Sequence, residues 1–128
     1  MALGCGGTST NSLVINSTNG KVDVTITGEG GTDEAWYNPT ANQYYFARSG
    51  AGLLGVENAG PPATAATDTP TGIGSHSVAA DLNLNSPKNK SQVYVPIRGN
   101  AGQTTTTKTC GSKGGNDTNG CIAVFDAP

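Results

Sequence analysis

Gly31-Thr-Asp-Glu-Ala-Trp-Tyr-Asn38 and, 43 residues on, Gly74-Ser-His-Ser-Val-Ala-Ala-Asp81 align as two versions of one segment. Each is followed by a β-rich run, Gln43-Tyr-Tyr-Phe-Ala47 after the first and Gln92-Val-Tyr-Val-Pro96 after the second, a shift of 49. The additional residues of the later copy fall in a hairpin around Asn83 to Lys90. A third segment repeats as well: Val14-Ile-Asn-Ser17 matches Val56-Glu-Asn-Ala59 at a shift of 42, and that matches Val124-Phe-Asp-Ala127 at a shift of 68. The excess in the last interval is absorbed by residues 99–120. A base period of about 42 residues, with several short strands in each period, is the signature of propeller-type blades. Each blade is a four-stranded antiparallel meander that buries both faces against its neighbours.

The strands themselves read from alternation. Lys21-Val-Asp-Val-Thr-Ile-Thr27 places Val22, Val24 and Ile26 on one face, and Asn19-Gly20 before it is a hairpin turn signal. Further strands are expected at Ser12–Asn16, Glu34–Tyr37, Gln43–Ala47, Leu53–Glu57, His76–Ala80, Gln92–Ile97 and Ile122–Phe125, with Ala63–Thr67 as an edge strand. No segment sustains a helical period. The fold class is therefore all-β.

Composition agrees and excludes several classes of function. Leu, Ile, Val and Phe make only 21 of 128 residues, while Gly numbers 19, Thr 17, Asn 12 and Pro 7. Short strands joined by many turns have this composition. The formal net charge is -2 and charged residues are 12%, with no basic patch, which argues against a nucleic-acid partner. No apolar run approaches the ~20 residues of a membrane span.

Cys110 and Cys121 bracket a Gly/Asn/Asp-rich stretch, and a disulfide between them would staple that loop. Such a bond requires an oxidising compartment, so the protein is expected to be extracellular or periplasmic. Cys5 is left over. Met1-Ala-Leu-Gly-Cys5 lacks the charged and apolar segments that precede a lipoprotein cleavage site. No metal and no cofactor are expected: there is one His, no CxxC and no CxxCH, and residues 113–119 lack the ligand spacing of an EF-hand.

Gly31 to Pro39, Tyr44 to Ala47, Gly74 to Asp81, Val93 to Pro96 and Ile122 to Asp126 together resemble the YVTN-type propeller repeat, and Lys21 to Ile26 resembles its fourth strand. The resemblance implies that residues 2–27 form an incomplete blade, 32–69 a full blade and 74–127 an incomplete blade with a long loop at 99–120. The chain, 1–128, is then a single partial propeller of two and a half to three blades, where a closed ring takes about 4–8. Either copies assemble into a ring or the few strands adopt an open sandwich; because a lone piece would expose apolar blade faces and unpaired edges, the expected partner is the protein itself, as a dimer or higher homo-oligomer.

In such a template the residues that open each blade line the channel mouth. Asp33, Glu34, His76 and Arg98 are accordingly the candidate ligand-binding residues, for a small molecule or a glycan. The alternative for Asp33 and His76 is a hydrogen bond within the inter-blade loop. Arg48 and Arg98 end two roughly equivalent strands and read as solvated ends. Trp36, Tyr37, Tyr44, Tyr45 and Tyr94 read as core. Ser75-His76-Ser77 offers no nucleophile–base pair, because neighbours on a strand point to opposite faces, and no G-x-S-x-G elbow occurs. The expected function is a non-catalytic propeller segment acting as a self-associating binding or structural module. The alternatives are a lactonase-like hydrolase and a carbohydrate-binding propeller.

Overall fold

Alternating apolar residues and frequent turn residues produce three separate antiparallel sheets. The computed structural model describes residues 2–3, 8–83, 90–98 and 120–127, with 2–3, 65 and 66 given by backbone alone. The first sheet joins β1 (Ala2–Leu3), β2 (Asn11–Ile15) and β3 (Val22–Thr27) in that order. The second is a four-stranded meander of β4 (Glu34–Asn38), β5 (Gln43–Arg48), β6 (Leu53–Asn58) and β7 (Thr64–Pro70). The third has β9 (Gln92–Ile97) between β8 (Ala79–Ala80) and β10 (Cys121–Asp126). Among the described residues there is no helix, and the sheets do not close into a barrel or ring. No helix there is long and apolar enough to cross a membrane.

The turns form as their residues require. Gly20, at φ 71°, closes the β2–β3 hairpin by donating its amide to the Asn16 carbonyl, while the Asn19 side chain accepts from the Lys21 amide. Asn38 ends β4 by accepting the amides of Thr40 and Ala41 on its side-chain oxygen. The strand expected over His76–Ala80 contracts to β8, so His76 lies in the irregular segment that leads into it. Cys5, Cys110 and most of the 83–90 and 99–120 segments lie outside the described residues.

The pairing register makes the internal repeat concrete. Val56 on β6 pairs Tyr45, and Val124 on β10 pairs Tyr94. Trp36 and Ala79, 43 residues apart, pair the same two tyrosines from the other side. Val14 and Val56, the aligned positions of β2 and β6, are each followed at once by a break in register. A bulge at the same place in two sheets is a feature of the unit rather than an accident.

The sheets stack face on face. Tyr45, Ala47, Leu54 and Val56 of the second sheet pack against Val93 and Val95 of the third, with Val78 and Ala127, in the larger core. A smaller core joins Val14 and Ile26 of the first sheet to Ala63, with Val24 and Tyr44 at its margin. The second sheet is thus covered on both faces. The third is covered on one, and Ile122 (65% exposed) and Val124 (51%) project from the other.

Candidate functional site

Asp33, His76 and Ser49 meet at the end of the stack where β4 begins and β5 finishes. The Asp33 amide donates to the Ala47 carbonyl, which fixes the backbone just ahead of β4. The Gly74 amide donates to the Ser49 carbonyl and so ties the incoming 72–76 segment to the end of β5. His76 Nδ1 then lies 2.7 Å from Asp33 Oδ2, and the Ser49 hydroxyl donates to the same oxygen. Asp33 and His76 hold the same place in the repeat, so the contact joins one unit to the next. The Ser49 hydrogen bond, with that of His76 behind it, holds the Asp33 carboxyl below the usual carboxylate range.

Of the other two candidates, Glu34 stands on β4 opposite Ala47, half-buried and outside these contacts. Arg98 follows β9, exposed, its stem so close over Gly74 that a Cβ on that glycine would lie 3.1 Å from Arg98 Cδ. The order of contacts is Ser–Asp–His. A nucleophilic serine needs the imidazole as its neighbour and the carboxylate behind. Here the carboxylate accepts from both, an arrangement that fastens segments together.

A second cluster, missed by sequence reading, lies between the first and second sheets. Arg48 Nη1 is 2.9 Å from both carboxylate oxygens of Asp68 on β7 and 3.4 Å from Glu29 Oε1, and Arg48 Nε is 3.4 Å from the Gly30 carbonyl. Arg48 is therefore not a solvated strand end. Nor is it equivalent to Arg98: through the Tyr45 and Tyr94 pairings, Arg48 corresponds to the buried Ile97, and Arg98 to Ser49. A slip of one residue in a strand exchanges its faces. Glu57 on β6 is fully buried and Glu29 is 6% exposed. Burial first, then the charge of Asp68, pushes the Glu29 carboxyl up to about 7. Burial, then the charges of Glu29 and Asp68, pushes Glu57 up to about 7.

The aromatic residues divide. Tyr45 is core, its hydroxyl donating to Gln43 Oε1, whereas Trp36 and Tyr37 are exposed and Tyr44 and Tyr94 half-buried. Tyr37 and Tyr44 pair with ring centroids 5.0 Å apart. At the opposite end of the stack, a cleft of about 790 Å³ opens between the β2–β3 hairpin and the β6–β7 connection, lined by Val14, Asn16, Asp23, Tyr44, Pro61 and Pro62 among others. None of Asp33, Glu34, His76 or Arg98 lines it. Cys121, at the start of β10, is disulfide-bonded. Among the described residues no group of three or more His, Cys, Asp or Glu is placed to hold a metal. Neither a scan against protein-family models nor a search of curated proteins gives a match to the chain.

Proposed function

We propose that the protein is a non-catalytic, propeller-type β-meander segment that acts as a self-associating structural and binding module. The observation that carries this reading is one position in three environments. Val14, Val56 and Val124 are equivalent in the repeat, and they are 8%, 2% and 51% exposed. The first two are covered by the sheet that follows; Val124 has no following sheet among the described residues. Leu54 at 2% and its equivalent Ile122 at 65% repeat the contrast.

The face around Val124 thus has the chemistry of a junction between sheets without its second half. A second copy of the chain supplies that half. At the junction of the second and third sheets, Phe125 packs against the core cluster that includes Leu54 and Val56. Ile15 of a second copy, at the position equivalent to Phe125, would meet Ile122 and Val124 in the same manner. Contacts of this head-to-tail kind close into a ring when the rotation permits. The expected setting is extracellular or periplasmic, in keeping with the disulfide on Cys121.

Sedimentation velocity of the full chain over a concentration series tests the reading. The wild type should exceed the 12.8 kDa of one chain, and Ile122→Lys with Val124→Lys should return it to that mass with its β-sheet circular dichroism intact. A wild type that stays at one chain's mass at every concentration would overturn the proposal.

A further inference from the structure

We propose that Glu29 and Glu57 form a proton-operated latch between the first and second sheets, which hold together while the pair carries a proton and part when both carboxyls are ionised. The proposal stands apart from self-association and concerns the opposite side of the second sheet.

Comparison of equivalent positions shows how far this junction departs from the repeat. The place of Glu57 is taken by Ile15 in the first sheet and Phe125 in the third. The place of Arg48 is taken by Ile97, and that of Gly55 by Ala123. The second and third sheets meet through apolar side chains alone at these sites, and the first and second through charged ones. A position where the local rule is broken, with no gain in packing, is where function is sought.

The geometry is that of a proton site. Both carboxyl oxygens of Glu57 and Oε2 of Glu29 are buried without a hydrogen-bond partner among the described residues. Glu29 Oε2 lies against Gly55, in the space a Cβ at that residue would take. Arg48 makes ion pairs to Glu29 and Asp68, and Asp68 takes both of its 2.9 Å contacts. Buried carboxylates left over from such pairing are costly when charged, and a proton removes the cost. A metal would need three donors turned to one point, and the described residues offer none.

The titratable and charged groups on this face of the second sheet are Tyr37 from β4, Arg48 and Tyr44 from β5 and Asp68 from β7. β2 and β3 present Ser12, Val14, Val24 and Ile26 on the facing side, and Asp23 of β3 lines the cleft beside Tyr44. Both carboxyls are pushed up to about 7 from 4.5. Between those pH values the folded protein holds more protons than the unfolded one, so stability falls as pH rises from 4.5 and the loss is complete above 7. Glu29 sits in the β3–β4 connection between Gly28 and Gly31, at φ 95° and 71°. Repulsion at Glu29 therefore acts on the segment that joins the two sheets.

The test compares wild type with E29Q/E57Q in the full chain, by thermal unfolding and by amide hydrogen exchange corrected for its intrinsic pH dependence. From pH 5 to pH 8 the wild-type midpoint should fall by roughly 5–10 °C and the variant's by under about 2 °C. Over the same range the wild-type amides of 11–15 and 22–27 should lose protection at least tenfold, and those of 92–97 less than twofold. A wild-type midpoint that does not fall, a variant that falls equally, or equal loss of protection in both regions overturns the proposal. The chain has only three glutamates, at 29, 34 and 57. Carboxyl-carbon NMR of the wild type therefore decides the matter if the variant does not fold: both Glu29 and Glu57 titrating near 4.5 overturns it, and titration near neutrality upholds it.

Discussion

Asp33 is shared by two donors and stands where two units of the repeat touch. Its carboxyl is lowered by the Ser49 hydrogen bond first and by His76 second. A lowered carboxyl stabilises the fold above its unfolded value of 3.8 and ceases to do so as pH falls through the folded value. Asp33→Asn should cost about 1 kcal/mol at pH 7, in the range of a single partly exposed hydrogen-bonded group. The variant's deficit should vanish in acid, because the wild type loses the same contact there. Denaturant titrations at pH 7 and pH 3 check both halves. The equivalence of the two positions was legible in the sequence, since the shift of 43 puts Asp33 and His76 in register, but their contact shows only once the sheets are stacked. The place of Arg48 was not legible. Two arginines near two strand ends look alike until the pairing partners show that one of them faces inward.

At the scale of the strand, alternation and turn residues located the β-strands well, because short half-buried strands advertise their period. They did not reveal which face meets which neighbour. Glu57 reads in sequence as the polar end of Leu53-Leu-Gly-Val-Glu57, yet it is the most buried acid among the described residues. Only the stacking of one sheet on another decides that. The same stacking separates residues that the repeat makes equivalent. Leu54→Ala should cost about 2–5 kcal/mol, because its cavity lies between two sheets. Ile122→Ala should change the stability of the dissociated chain by less than about 0.5 kcal/mol. Equilibrium unfolding of the two variants at low concentration makes the comparison. Raising the concentration should enlarge the Ile122 effect if its face is the contact between copies.

At the scale of the molecule, three sheets meet at two junctions of different chemistry. One is an apolar layer centred on Tyr45, Leu54, Val93 and Val95; the other has a small apolar patch at one end and the Glu29–Arg48–Asp68 group at the other. The apolar fraction of the chain is low because the sheets share their cores, each face serving two sheets at once. The exposed face of the third sheet is the remainder of that arithmetic, and the proposed assembly covers it. If so, the unfolding midpoint should rise with protein concentration in the wild type and be independent of it in the I122K/V124K variant.

The coverage of the middle sheet on both faces carries a consequence for the order in which the protein comes apart. A stack in which each layer touches only its neighbours behaves as a short one-dimensional chain, whose ends fray before its centre. The outer layers should therefore open as separate cooperative units, the one behind the charged junction first. β5 and β6 should exchange their amide protons only when the whole molecule unfolds, which makes them the last memory of the native state and the best place to read its global stability.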